Sequence, residues 1–217
     1  MKKLLFILFS AIMCVSFTAC NSCKGDKEVT ESTDSTNVVD TTGALNVEHV
    51  IAMDRQDMFL NYAKDYRWYE TCMKLENYLD DENCDGTVHS VSNVFQVIDE
   101  KDNGADVFVV LYSHLADTSA VDVRQGFWVE DLPMEDDAVK LTYKDAFERV
   151  MQTNSPKPHS KNCILRKPLG PQSCNPQYVF GNLRAQLWVD AVTGEVRNSN
   201  PAFPESVGFK MPLGEWS

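Results

Sequence analysis

The chain has 217 residues, 43% of them hydrophobic and 24% charged, with a formal net charge of −12. That length admits one or two domains and a core large enough to stand without disulfides. The excess of acid opposes phosphate backbones and anionic lipid surfaces, so nucleic acid and a polybasic membrane contact are excluded as partners.

Residues 1–19 read as an export leader. Lys2 and Lys3 form a positive start, and Leu4 to Val15 form an apolar stretch too short to span a bilayer. Thr18 and Ala19, both small, precede Cys20. This arrangement resembles the signal of bacterial lipoproteins, whose processing box is an aliphatic residue, two small residues and a cysteine; Phe17 stands where leucine is usual. The resemblance implies a cell-envelope protein, lipid-modified at Cys20 and held at a membrane, with the outer membrane the expected address. Residues 20–46 are rich in Ser, Thr, Asp and Glu and hold no aromatic residue. Such a segment buries too little surface to offset its ordering entropy, and it reads as a disordered acidic tether. Its charged residues behind the anchor resemble the surface-export signals of lipoproteins from the Bacteroides group.

The body is expected to be α+β, in two consecutive units of one helix and a three-stranded antiparallel sheet, residues 47–135 and 136–217. In the first, Met58, Tyr62, Tyr66 and Tyr69 recur at helical spacing and predict a helix over Asp54 to Leu79, capped by Asp54. Strands follow at Val88 to Ile98, Val107 to Tyr112 and Val121 to Glu130, with the turn dipeptide Asn103-Gly104 between the first two. In the second unit Thr142 caps a helix reaching Gln152, with Asp145 completing a near capping box. Strands are expected at Lys161 to Lys167, Tyr178 to Phe180 and Arg184 to Asp190, before an irregular proline-containing tail.

Two segments of this second unit, LTYKDAFERV at 141–150 and LWVDAVTGEV at 187–196, resemble PepSY-type domains. The resemblance implies a helix against a three-stranded antiparallel sheet, with Gly194 free to take the positive φ of its turn. It also implies non-enzymatic roles at the envelope, proposed peptidase inhibition among them, and brings no catalytic residues.

Of the seven cysteines, Cys14 leaves with the leader and Cys20 carries lipid; Cys23 stays in the tether. The close pairs Cys72 with Cys84 and Cys163 with Cys174 read as small-loop disulfides of an exported chain, other pairings remaining open. Asp81, Asn83 and Asp85, followed by Gly86, match the opening of a calcium-binding loop. Ser92 stands where that loop needs a bidentate Glu, so an acidic turn is the preferred reading and Ca²⁺ the alternative. His49, His89, His114 and His159 have no metal-ligand spacing, and no nucleophile elbow or phosphate loop is present. The run Lys157 to Lys167 is the nearest basic cluster.

The function expected is therefore a membrane-anchored binding or structural module for a protein or peptide partner. Trp188 and Trp128 are candidates for its docking face. A hydrolase using sheet carboxylates such as Asp106 or Glu130 is the alternative.

Overall fold

A computed structural model describes residues 44–62, 66–101, 104–135 and 137–203, all within one compact unit. The leader, Cys20, Cys23, most of the tether and the end of the tail lie outside the described residues.

The chain enters through helix α1 (Val47–Asn61), capped by Asn46, whose side chain accepts from the His49 N–H at 3.0 Å. Strands β1 (Arg67–Leu75), β2 (Val88–Lys101), β3 (Gly104–Leu115) and β4 (Thr118–Gln125) follow. After the two-residue strand β5 (Asp131–Leu132) come α2 (Tyr143–Gln152), β6 (Asn162–Pro168), β7 (Gln177–Asn182), β8 (Ala185–Asp190) and β9 (Val196–Arg197). The sheet is antiparallel and runs β4-β3-β2-β1-β6-β7-β8-β9, with β5 paired to β6 beside that path.

The α+β class holds, and two expectations need correction. The two three-stranded units are one continuous sheet, because β1 pairs on one side with β2 and on the other with β6. The long helix predicted over 54–79 does not exist. Helix α1 ends at Asn61, and Asp54, expected as its cap, sits buried in its middle. Arg67–Leu75 is a strand: Thr71, Met73 and Leu75 face the core while Cys72 and Lys74 face away, a period of two that the tyrosine spacing masks. Pairing on both edges and burial of alternate side chains override local helical preference here. The third predicted strand also shortens, since β4 ends at Gln125 and residues 126–130 are irregular.

Other elements match the reading closely. Thr142 and Asp145 form a reciprocal capping box on α2. Gly194 has φ +75° in the turn after β8, against the Arg149 side chain, which a Cβ would meet at 2.4 Å.

Both helices cover the same face of the sheet. Val50 and Met58 of α1 and Ala146, Phe147 and Val150 of α2 share one core with Val91, Phe95, Val110, Leu165, Phe180 and Val189. Phe95 is fully buried, edge-on to Tyr66 and Tyr112 with ring centroids 5.5 and 5.8 Å away. Glu48 of α1 accepts from the Tyr143 N–H at 2.6 Å, placing a carboxylate at the positive end of α2 and tying the helices together. The opposite face carries a smaller cluster of Tyr69, Val94 and Val109, against which Trp128 packs.

Candidate functional site

Cys72, Cys84, Cys163 and Cys174 are all free thiols, so neither expected bridge is formed. The sheet explains part of this. Cys84 and Cys163 belong to the core under the helices, while Cys72 pairs with Ile164 and lies on the opposite face of the sheet from Cys84, its thiol donating to Glu70 Oε1 at 2.9 Å. Burial, then the Glu70 carboxylate, pushes the Cys72 thiol well above the usual range, and burial does the same to Cys163. Neither is an activated nucleophile.

The acidic loop is an internally bonded turn. Asp81 Oδ1 accepts from the Asn83 N–H at 2.9 Å, and Asp85 Oδ1 from the Thr87 N–H at 2.9 Å. These oxygens serve the loop's own backbone. Among the described residues no three His, Cys, Asp or Glu side chains group as metal ligands.

The tryptophans do not form the expected docking face. Trp188 is only 6% exposed, between Val179 and Arg197 in the sheet. Trp128 is half-buried, with its backbone N–H on Gln96 Oε1 at 2.9 Å. The side chains that reach solvent are those flanking Trp128: Phe127 at 68% and Val129 at 73%.

Two buried polar groups were not legible in the sequence. Under α1, Trp68 Nε1 donates to Thr71 Oγ1, Thr71 Oγ1 to Asn93 Oδ1, and Asn93 Nδ2 to Asp54 Oδ2 at 2.7 Å. His114 Nε2 meets the same carboxylate at 2.8 and 3.0 Å. All these partners are buried. On the other face, Arg166 Nε donates to Asp131 Oδ1 at 2.5 Å and its Nη2 to the Glu130 carbonyl at 3.2 Å. Asp131 Oδ2 is buried with no donor, and the Glu70 carboxyl lies beside it. Burial, then the hydrogen bond with Glu70, pushes Asp131 up to about 7 against the opposing pull of Arg166. Arg166 is thus the cation that holds the buried Asp131 carboxylate against this push. Asp106 and Glu130, the carboxylates singled out from the sequence, are not this pair.

The surface offers two features of binding character. A cavity of about 620 Å³ opens where the loop after β1 meets the segment before β6, bordered by Lys74, Tyr78, His159, Lys161, Asn162 and Asn182. His159 stacks on Tyr78 at 4.1 Å between ring centroids, and Lys161 Nζ stands 4.9 Å over the Tyr78 ring. This uses part of the basic run noted in the sequence. At the other end of the sheet, β4 is exposed along all eight residues. Val121 and Val123 pair with Tyr112 and Val110, so they continue the core face beyond the cover of α1. Both are nearly half exposed, and Val123 borders a second cavity of about 290 Å³ with Tyr62, Val97, Phe108 and Val110.

Comparison with family models, with curated proteins and with solved structures gives no match.

Proposed function

We propose that this chain is a lipoprotein of the cell envelope, anchored through Cys20, that binds a protein or peptide partner without catalysing a reaction. The partner docks by adding a strand to β4. One observation carries this reading: among the described residues β4 ends the sheet, every residue of it is exposed, and Val121 and Val123 extend the apolar face past its helical cover. An unpaired edge of this length offers a row of backbone donors and acceptors to another chain. Asp122 and Arg124 pair with each other on the far side at 2.6 Å, leaving the valine side apolar. Leu115, which pairs with Thr118 of β4, and Phe127, two residues past its end, are also exposed. The docking face thus moves from Trp188 and Trp128 to the strand preceding Trp128.

The segments 141–150 and 187–196 carry the resemblance of the second half to PepSY-type modules, for which envelope binding roles are the expectation. The leader pattern supports the outer membrane as the address.

Photo-cross-linking in cells tests the proposal. A photoreactive residue in place of Val121 or Val123 is expected to give a discrete adduct. The same residue in place of Leu183, which is 99% exposed in the β7–β8 turn, is expected to give none. Cys20→Ser is expected to release the chain from the membrane fraction. Equal labelling at all three positions, or none at 121 and 123, refutes the edge as a docking site.

A further inference from the structure

We propose that the cavity between β1 and β6 is a binding site for a small hydroxylated carboxylate, independent of the β4 edge. Its walls are rich in donors. Lys74 sits opposite Asn162 in the β1–β6 register; the Asn162 backbone N–H donates to Ser160 Oγ at 3.1 Å, while its side-chain amide and the Lys74 ammonium make no hydrogen bond to a described side chain. Asn182 uses its Oδ1 on the Arg184 N–H and keeps its amide N–H groups free for a ligand. Lys161 donates to the Glu76 carbonyl at 2.5 Å, which fixes its ammonium over Tyr78 and leaves further N–H bonds to give.

The site is held in shape by bonds that do not involve the ligand. Leu75 N–H to Lys161 O at 2.7 Å and Leu79 N–H to Ser160 O at 2.9 Å join the two loops. Asp80 holds His159 Nδ1 at 3.0 Å, in register with the Tyr78 ring. A rigid wall of this kind lowers the ordering cost of binding.

Charge and composition select the ligand class. Two lysines border a cavity in a chain whose net charge is −12, which concentrates positive potential at one place on an acidic surface. Glu76 also lines the cavity, and its carboxylate penalises a dianion more than a monoanion. No arginine lines it either, so the bidentate fork suited to phosphate is missing from the lining. A single carboxylate between Lys74 and Lys161 fits these constraints. The remaining lining is two amides, two hydroxyls, Leu75 and two imidazoles, one of which, His89, keeps a buried Nδ1 without a partner among the described residues, and this polar set favours a ligand with several hydroxyl groups over an apolar one. The volume lies within the range of small-molecule sites.

Calorimetric titration of the mature chain with glucuronate, glucose, gluconate and inorganic phosphate tests this. Glucuronate or gluconate is expected to bind, and glucose, lacking the carboxylate, to bind at least about tenfold more weakly. Lys74→Gln and Asn162→Ala are each expected to weaken binding about tenfold or more, with melting temperatures close to that of the parent chain. Lys140→Gln, outside the cavity lining, is expected to leave affinity unchanged. Absence of carboxylate binding at concentrations on the order of 10 mM overturns the assignment. So does binding indifferent to Lys74→Gln in the folded variant, and so does phosphate binding as tightly as the carboxylates. None of these results bears on cross-linking at Val121 and Val123, so the two proposals fail separately.

Discussion

Asp54→Ala is expected to lower the unfolding free energy by about 3–5 kcal/mol, a large part of the 5–15 kcal/mol typical of a domain. The carboxylate is 2% exposed and serves both Asn93 and His114 under α1. Removing it strands two buried donors, each costing about 1–3 kcal/mol, and leaves a hole beneath the helix. The loss spreads along the chain of bonds, because Asn93 also accepts from Thr71 and Thr71 from Trp68. Asp54→Asn is expected to recover part of the loss, since its amide oxygen still accepts one bond. Denaturant unfolding of the two variants and the parent checks this. A loss below about 1 kcal/mol for Asp54→Ala would mean that the network is not intact in solution.

Arg166→Met is the second large effect, about 3–5 kcal/mol at neutral pH. It leaves Glu70 and Asp131 together, buried, with no cation beside them. The sign of its pH dependence follows from Asp131, whose folded value near 7 lies above the ordinary 3.8. Between those limits the folded chain holds a proton that the unfolded chain releases. Stability from this group is therefore full below pH 4 and is lost as pH rises toward 7. Removing Arg166 raises the folded Asp131 value further, so the variant keeps losing about 1.4 kcal/mol per pH unit above pH 7, where the loss in the parent levels off. Unfolding at pH 6 and pH 8.5 is expected to give a larger difference between variant and parent at the higher pH. A difference equal at the two pH values would show that Arg166 does not hold the Asp131 value down.

The elements legible in the sequence are those fixed by local chemistry. The alternation across Val88 to Ile98 and the Thr142–Asp145 pair needed no tertiary information, and both occur as expected. Strand β1 was hidden because Tyr62, Tyr66 and Tyr69 imitate a helical stripe, while the alternation that decides its fate begins only at Glu70. Its position between β2 and β6 is a non-local choice, and that choice also fuses the two expected units. The Glu70–Asp131–Arg166 group depends on β5 lying beside β6, a pairing of two residues that leaves no periodic signal. The proximity of cysteines in sequence misled for a similar reason. In a strand, residue parity decides which face a thiol meets, and it turns Cys72 away from the core that holds Cys84. Trp188, a candidate docking residue on sequence, is packed between its strand neighbours and only 6% exposed. The exposed valines of β4 carried a signal in composition alone, and only the strand order reveals that β4 is an edge.

Backbone amide hydrogen exchange across 118–125, comparing the free chain with the purified cross-linked adduct, tests strand addition at β4 most directly. The expected result is new protection at the β4 amides that point away from β3, alternating along the strand, with the β1–β6 region unchanged. Exchange at those amides as fast in the adduct as in the free chain contradicts strand addition.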